Sequence, residues 1–433
     1  MTAADTRECP AVVISAPASG QGKTTVTAAL ARYHRWQGRR VRVFKVGPDF
    51  IDPMILTRAS GQTVWQLDLW MGGDSHCQQL LYQAAGEAEL ILIEGVMGLF
   101  DGDPSTADIA ERFNIPVLNV IDANAMAQTF GAVAYGLTQY RCALKSFGVV
   151  GNGVASAGHA AMLAESLSPG LRYLGSLPRN VDWQLPDRHL GLLQAQEIGD
   201  LDARLDAVAI AIEGSALTEL PPPVAFHRAE QPVLDKRLDS IRIGVASDNA
   251  FSFVYAANIA MLQQLGAELV YFSPLQDEVP ADVHSYYFPG GYPELHAAIL
   301  HSSTRLKAAL HAHHEAGKPI VAECGGMLYL LDALTDAANV RYSMVGLLPG
   351  TARMQDKLAN LGLHSVALPE GRLRGHTFHY SRLASTSETM THSEPVHRYG
   401  HGEAVFRVRR LHASYMHLYF PSNLAAAAAL FAP

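Results

Sequence analysis

Residues 15–25 read Ser-Ala-Pro-Ala-Ser-Gly-Gln-Gly-Lys-Thr-Thr, directly after a short apolar run and directly before a helix-forming stretch. A glycine-rich turn between a strand and a helix points backbone N–H groups at phosphate, and Lys23 adds a cation. The alternative is a turn that only caps the helix, and Pro17 does stand where the usual motif has its first glycine. We predict a phosphate site formed by Ser19, Gly20, Gln21, Gly22, Lys23, Thr24 and Thr25, with the Thr24 hydroxyl suited to Mg²⁺.

Short β-branched runs alternate with amphipathic stretches around this loop. The runs lie at 12–15, 41–44, 90–93, 117–121 and 147–150. The alternation predicts a parallel sheet with crossover helices, and the uniform apolarity of the runs predicts burial on both faces.

A second series of runs predicts another α/β domain. It comprises 241–246, 269–272, 286–288 and 320–322, then β-like segments around 375–380 and 403–408 and a final helix at 425–429. Periodicity weakens before this series, and Pro221, Pro222 and Pro223 stand in a row there. The predicted organisation is a first domain at 1–220, a linker at 221–239 and a second domain at 240–433.

Composition excludes several classes of protein. The 433 residues carry a formal net charge of −8, and no basic run has the density that binding along nucleic acid requires. The four cysteines are widely scattered, which indicates neither a disulfide framework nor a zinc site. No segment predicts a signal peptide or a membrane span. A cytoplasmic protein with neither nucleic-acid nor membrane partners is expected.

Acidic residues follow the predicted strands at the edge that carries the phosphate loop. Asp49 and Asp52 follow the second run, Glu94 ends the third, and Asp101 comes soon after. Four carboxylates beside a triphosphate would repel it unless a metal neutralised them, so we predict Mg²⁺ held by Thr24, Asp49, Asp52 and Glu94. Asn152, after the run at 147–150, fits either a contact to the base or a plain turn.

The second domain places a thiol at a strand-to-helix turn. Cys324 follows the run at 320–322 and precedes a predicted helix at 327–334. Such a turn exposes a nucleophile, and the helix N-terminus is expected to lower the thiol pKa. Backbone N–H groups at Gly290, Gly291 and Gly325 are expected to form an oxyanion hole.

Other cysteines and histidines suggest structural roles. Cys9, Cys77 and Cys142 are interpreted as small apolar residues. The cluster His311, His313 and His314 is interpreted as the solvated face of a helix. Nineteen histidines are too many for spacing alone to choose a base for Cys324.

Four motifs in the second domain resemble the glutamine amidotransferase domain of the corrinoid amidases. They are ECGG (323–326), FPGGYPE (288–294), GHTFHYS (375–381) and ASYMHLYF (413–420). The resemblance implies a class I glutamine amidotransferase fold with Cys324 as nucleophile and His417 as base. Tyr419 stands where the usual class I triad has its acid, so the group that orients His417 stays open.

With GQGKTT (20–25), KVGPDFIDP (45–53) and EGVMGLFDG (94–102), nearly the whole chain resembles the cobyrinate and hydrogenobyrinate a,c-diamide synthases. This implies a doubly wound, mostly parallel P-loop domain similar to dethiobiotin synthetase. It also implies a carbon–nitrogen ligase of cobalamin (vitamin B12) biosynthesis that amidates the a and c acetates of the corrinoid through acyl phosphates. ATP is then a co-substrate, Mg²⁺ a cofactor and L-glutamine the nitrogen donor.

The same resemblance implies roles for individual residues. Asp49, Asp52, Glu94 and Asp101 match residues that serve ATP, Mg²⁺ and carboxylate activation, and Asn152 matches an adenine contact. Glu94 and Asp101 are expected in the activation chemistry.

Other functions remain alternatives. Cobyric acid synthase and the amidase of Ni-sirohydrochlorin are related enzymes. From another class, a nucleotide switch of the ParA or MinD type could carry an inactive amidotransferase domain, although 16–19 lacks the second lysine usual in those switches. Homodimerisation is a further expectation.

Overall fold

The chain folds as two units, Met1–Gln231 and Pro232–Pro433. The computed structural model describes residues 5–180, 183, 193–230, 235–397 and 400–433.

The first unit alternates strands and helices. Its strands are β1 Thr6–Ser15, β2 Val41–Val46, β3 Trp65–Leu67, β4 Leu90–Glu94, β5 Val117–Asp122, β6 Ser146–Val154, β7 Tyr173–Pro178 and β8 Pro223–His227. Its helices are α1 Lys23–Trp36, α2 Ile51–Ser60, α3 Asp74–Glu87, α4 Thr106–Arg112, α5 Thr129–Gln139, α6 Ala157–Glu165 and α7 Leu201–Ala211.

The sheet of this unit runs in the order β3-β2-β4-β1-β5-β6-β7, and all these neighbours are parallel. The β4 sequence LILIE is buried at every position, as a sheet covered on both faces requires. The chain reverses direction across the sheet at β1, and ligands of doubly wound folds bind at the carboxyl ends of strands near such a point. Ser15 and Glu94 end the two strands there.

The second unit combines a larger sheet with smaller ones. Its strands are β9 Arg242–Ala246, β10 Glu268–Phe272, β11 Ser285–Phe288, β12 Ile320–Glu323, β13 Leu331–Thr335, β14 Arg341–Ser343, β15 Leu348–Met354, β16 Asn360–Leu368, β17 Gly371–His379, β18 Ser381–Ser385, β19 Thr389–His392, β20 Glu394–Pro395, β21 Ala404–Val408, β22 Leu411–Ser414 and β23 His417–Tyr419. Its helices are α8 Ala256–Gln264, α9 Ala297–Ser302, α10 Arg305–Glu315, α11 Gly325–Leu330 and α12 Leu424–Phe431.

The larger sheet runs β10-β9-β11-β12-β22-β21-β19, parallel from β10 to β22 and antiparallel beyond. Two smaller sheets run β14-β13-β15-β18 and β20-β16-β17-β23. Both units are therefore α/β, as the sequence predicts.

Two local predictions about the second unit are wrong. The helix predicted at 327–334 ends at Leu330, because Leu331 turns to extended backbone and begins β13, which pairs with β14 and β15. His313 and His314 are buried rather than solvated: the His313 ring packs edge-on against Tyr286, and its Nε2 lies 3.1 Å from the Pro319 carbonyl.

In the first unit, two expectations also differ from the structure. Pro223–His227, inside the predicted linker, forms strand β8 and pairs antiparallel with the start of β1. Pro223 begins that strand, a position where a missing N–H is tolerated. Cys142 is exposed, whereas Cys9 and Cys77 are buried as predicted.

Candidate active sites

The phosphate loop lies between β1 and α1, and its glycines allow close backbone packing. Gly20 and Gly22 have φ of 75° and 96°, and Gly22 begins the helix. A Cβ on Gly22 would lie 2.3 Å from Asn152 Nδ2, which donates a hydrogen bond to the Gln21 carbonyl at 2.9 Å. Asn152 lies within β6 rather than past its end, so it braces the loop from a neighbouring strand.

The other residues of the predicted phosphate loop differ in how exposed they are to solvent. Ser19 and Gly20 are exposed at the tip, whereas Thr24 and Thr25 are half-buried in the first turn of α1. The Gln21 side chain accepts a hydrogen bond from the Asp122 backbone N–H at 2.8 Å, at the end of β5. The loop is thus tied to β5 through Gln21 and to β6 through Asn152.

The Lys23 ammonium bends back over the loop. Its Nζ donates to the Ala18 carbonyl at 3.0 Å and to the Met97 carbonyl at 2.5 Å. Burial lowers the Lys23 pKa, and the positive charge of Lys45 adds to this effect. Two backbone carbonyls therefore hold this cation over the loop.

Three of the four predicted acids converge on Lys45. Its Nζ lies 2.7 Å from Asp52 Oδ2, 3.0 Å from Glu94 Oε1 and 3.6 Å from Asp49 Oδ2. Lys45 and Glu94 are 2% and 0% exposed. A buried ammonium, which the sequence analysis did not consider, therefore offsets part of the carboxylate charge that it assigned to Mg²⁺ alone.

Protonation within this cluster reflects burial and close charges. Burial raises the pKa of Glu94 and of Asp49 to about 7, although Lys45 opposes the rise in both. Burial also opposes ionisation of Lys45, but the carboxylates of Glu94 and Asp52 outweigh that cost and hold its pKa well above the ordinary value. The cluster therefore keeps its cation at neutral pH.

Asp101 lies apart from this cluster. It is exposed, and its Oδ2 accepts a hydrogen bond from the Gly98 backbone N–H at 2.9 Å. That turn follows Met97, whose carbonyl binds Lys23. Asp101 therefore lies close to the phosphate loop rather than to Lys45.

Oxygen donors suited to Mg²⁺ lie beside the loop. Thr24 Oγ1 donates to Glu94 Oε1 at 2.8 Å, and Glu94 Oε2 is buried without a hydrogen-bond partner among the described residues. Among the residues that the structure describes, no three Asp, Glu, His or Cys side chains surround a common metal position. Mg²⁺ usually takes one or two carboxylates and completes its shell with phosphate and water, so this donor set fits the ion.

The second site centres on Cys324, between β12 and α11. Its φ of 45° is unusual for a residue other than glycine and matches a strained turn that lifts a nucleophile from a sheet. The Cys324 backbone N–H donates to the Ser414 carbonyl at 2.8 Å, and its Sγ lies 4.0 Å from the Phe378 carbonyl oxygen. The motifs that contain these three residues are thereby brought together.

The predicted oxyanion glycines surround the same turn. A Cβ on Gly325 would lie 3.0 Å from the Gly291 nitrogen, and a Cβ on Gly290 would lie 2.2 Å from His417 Cε1. Only glycine at 290 and 325 permits this approach. The structure therefore brings Gly290, Gly291 and Gly325 together with His417.

The structure contradicts one expectation about the thiol. Burial raises the Cys324 pKa, and the carboxylate of Glu294 adds to the rise. The short helix α11 does not overcome this. Burial also lowers the His417 pKa to about 3, helped by His379. Thiol and imidazole are thus both neutral at neutral pH.

Lys45 and Glu323 were not singled out from the sequence. The Glu323 carboxyl accepts hydrogen bonds from Tyr287 OH at 2.9 Å and from the Leu418 N–H at 3.1 Å. Both residues stand inside quoted motifs, Lys45 at a strand end four residues before Asp49. A search for charged residues within buried strands would have found them.

Comparisons with known proteins agree with both halves. Residues 12–193 match the CobQ/CobB/MinD/ParA nucleotide binding domain, and 242–425 match the CobB/CobQ-like glutamine amidotransferase domain. The predictions of a nucleotide-binding domain followed by a glutamine amidotransferase domain are confirmed.

Relatives extend the similarity over nearly the whole chain. The hydrogenobyrinate a,c-diamide synthase of Pseudomonas aeruginosa is 59% identical, over 98% of this chain and 98% of its own. The chain belongs to the a,c-diamide synthase family. The Stutzerimonas stutzeri protein of the same name is also 59% identical, over 99% of both chains. The cobyrinate a,c-diamide synthase of Herminiimonas arsenicoxydans is 49% identical, over 98% and 96%.

Membership of this family makes the chain an amidotransferase and confirms the resemblance drawn from the motifs. Among the helices that the structure describes, none combines the length and apolar character needed to cross a membrane.

Proposed function

We propose that this chain uses ATP and glutamine to amidate the a and c acetate carboxylates of hydrogenobyrinate in cobalamin biosynthesis. The observation that carries the proposal is 59% identity over nearly the full length to two enzymes named hydrogenobyrinate a,c-diamide synthase. The relative named for cobyrinate is 49% identical. The metal-free corrinoid is therefore the first choice of substrate, and cobyrinate is the second.

In the first unit, the proposed reaction activates a carboxylate. A substrate carboxylate oxygen attacks the γ-phosphorus of ATP, the bond to the bridging oxygen breaks, and ADP leaves. The N–H groups of residues 19–25 and the Lys23 ammonium bind the phosphates, which holds the γ-phosphoryl group for attack. Asn152 braces the loop through Gln21 and is the proposed adenine contact.

Mg²⁺ held by Thr24 and Glu94, with Asp49 or Asp52 as a second carboxylate, would neutralise phosphate charge. Lys45 keeps Asp52 and Glu94 in place through its two short ion pairs. Asp101, on the turn that also contacts Lys23, is proposed to serve the activation step. The acyl phosphate then has the leaving group that a free carboxylate lacks.

In the second unit, the proposed reaction releases ammonia from glutamine. Cys324 Sγ attacks the carboxamide carbon while His417 takes the thiol proton. The backbone around Gly290, Gly291 and Gly325 stabilises the oxyanion. His417 returns the proton to the departing nitrogen, which leaves as ammonia, and water hydrolyses the thioester to glutamate. Ammonia attacks the acyl carbon, and phosphate leaves as the nitrogen loses a proton.

Both partners of this proton transfer are neutral before the reaction, since burial raises the Cys324 pKa and lowers the His417 pKa. In the proposed reaction, the nucleophile therefore starts as a thiol rather than as a preformed thiolate. Proton transfer to His417 accompanies attack on the bound amide, so the placement of the His417 ring directly affects the rate.

The substrate is tested by competition. The protein is incubated with ATP, Mg²⁺, glutamine and equal amounts of hydrogenobyrinic and cobyrinic acids, and products are followed by mass spectrometry. Two amidations of hydrogenobyrinic acid, and no further change, are expected. Preference for cobyrinic acid would correct the substrate, and failure to amidate either would contradict the proposal.

The proposed role of the acids has its own test. Glu94→Gln and Asp101→Asn should each lower corrinoid-dependent phosphate release by about 10²-fold or more, because each loses charge needed where phosphoryl transfer occurs. Glutamine hydrolysis should persist. Exposed Glu213 provides a control, Glu213→Gln. Near-normal product formation by both active-site variants would contradict this assignment. Homodimerisation and cytoplasmic location stay predictions.

A further inference from the structure

In the usual class I glutamine amidotransferases, an acid two residues after the catalytic histidine orients it, and in this chain the proposed histidine is His417. The residue two positions later is Tyr419, which is buried and packs edge-on against Tyr255 with ring centroids 5.1 Å apart. A base that shuttles a proton needs a fixed ring plane, which an acid commonly provides through a hydrogen bond. The groups packed against the His417 ring are therefore candidates for orienting it.

The ring of His417 packs against the ring of His376 and the backbone of Gly290. On one side is the imidazole of His376, nearly parallel at 17° with centroids 4.8 Å apart. The two residues are directly opposed on the antiparallel strands β17 and β23. The backbone of Gly290 also crowds this ring, so closely that a Cβ there would lie 2.2 Å from Cε1.

His376 is itself fixed by a buried tyrosine. Its Nδ1 lies 2.6 Å from Tyr255 OH, a hydrogen bond between β17 and the start of α8. Burial holds the pKa of His376 well below its ordinary value, and His417 adds to the effect. A neutral ring can stack on His417 without opposing the positive charge that His417 gains during catalysis.

The strand that carries His417 is also held in place. The carbonyl of Leu418 accepts a hydrogen bond from Asn258 Nδ2 at 2.7 Å, and the Phe420 N–H donates to Asn258 Oδ1 at 2.8 Å. With the backbone held, the remaining freedom of His417 is rotation of its ring. Stacking on His376 restricts that rotation.

We propose that His376, held by Tyr255, is a positioning residue that orients the imidazole of His417 for glutamine hydrolysis in place of the usual acid. The inference rests on the proposed function of Cys324 and His417 as the glutaminase pair. The proposed role depends on the flat ring that stacks on His417, so an aromatic ring of another kind at 376 should largely substitute for the imidazole.

The test compares three variants in steady-state glutamine hydrolysis. His376→Leu removes the flat ring and should lower kcat about tenfold or more with KM nearly unchanged, because a misplaced base slows chemistry rather than binding. His376→Phe keeps a stacked ring and should recover most of that loss. Tyr255→Phe removes only the hydroxyl and should lower kcat less than His376→Leu.

Two controls separate positioning from folding. Ammonium-dependent amidation should stay normal in all three variants. His313→Leu removes a buried histidine on another helix and should leave kcat unchanged. An unchanged kcat in His376→Leu, or equal losses in the Leu and Phe variants, would overturn the inference. If His376→Leu does not fold, Tyr255→Phe decides: a lowered kcat at constant KM supports positioning, and an unchanged kcat overturns it.

Failure of this inference is distinct from failure of the proposed function. If Cys324→Ala still hydrolyses glutamine, the proposed glutaminase pair is wrong whatever His376 does. If Cys324→Ala abolishes hydrolysis while His376→Leu has no effect, only the positioning role is wrong.

Discussion

The Glu323 carboxyl accepts a hydrogen bond from the Leu418 backbone N–H, with 3.1 Å between the nitrogen and Oε1. Glu323 immediately precedes Cys324, and Leu418 immediately follows His417. One buried hydrogen bond thus joins the side chain of the residue before the proposed nucleophile to the backbone of the residue after the proposed base. It contributes to stability and to the active-site geometry together.

The protonation of Glu323 should make stability depend on pH. Burial raises its pKa to about 8 in the folded protein, above the ordinary value for Glu. The folded state therefore binds this proton more tightly, so stability from this group is complete at low pH and declines as pH rises towards about 8. Glu323→Gln does not titrate and should lack this decline.

Denaturant unfolding at several pH values measures this difference. The free energy of unfolding of the wild type, minus that of Glu323→Gln, should fall by up to about 1.4 kcal/mol per pH unit between about pH 5 and 8. Glu315→Gln, an exposed change on α10, is the control. A difference that is constant with pH would show that Glu323 is ionised throughout.

Replacement of Lys45 should destabilise the first unit. Lys45→Met leaves half-buried Asp52 and buried Glu94 without their cation, and breaking a buried ion pair typically costs about 3–5 kcal/mol. Thermal unfolding should show the loss, and Lys145→Met, at an exposed lysine, should not. Mg²⁺ should raise the unfolding temperature of Lys45→Met more than that of the wild type. Wild-type stability in Lys45→Met would contradict the role of this cation.

A methyl group at Gly290 should displace the proposed base. Because the added Cβ would lie 2.2 Å from His417 Cε1, the ring must move. Gly290→Ala should lose glutamine-dependent amidation by about 10²-fold while ammonium-dependent amidation persists. Gly136→Ala, where no atom lies within 4 Å of the added Cβ, is the control. Normal glutamine use by Gly290→Ala would exclude this placement of His417.

Sequence reasoning predicted the features that depend on local pattern. Apolar runs indicated the parallel strands, and the loop at 15–25 indicated the nucleotide-binding domain, because both signals lie within short windows. The prediction of a helix at 327–334 was wrong because its outcome depends on distant parts of the chain. Its residues from Leu331 onward pair with strands further along the chain, and tertiary pairing overrides local propensity.

The contacts between polar side chains inside each site could not be predicted from the sequence. The contact of Lys45 with Glu94 joins residues 49 positions apart, and the stack of His376 on His417 joins two strands through their register. The Cys324 pKa depends on how deeply the turn is buried, which no sequence window reports. Such features depend on register and burial, which emerge only when the sheets assemble.

The central claim is that ammonia production and carboxylate activation are separate reactions on separate sites. Cys324→Ala should abolish amidation with glutamine yet keep amidation with high ammonium chloride at raised pH, where more nitrogen is unprotonated. Lys23→Ala should lose amidation with either nitrogen source, because activation needs the phosphate-binding cation. The decisive measurement is the rate of ammonium-dependent amidation by folded Cys324→Ala. A rate close to the wild type is predicted, and loss of both activities in that variant would contradict the account.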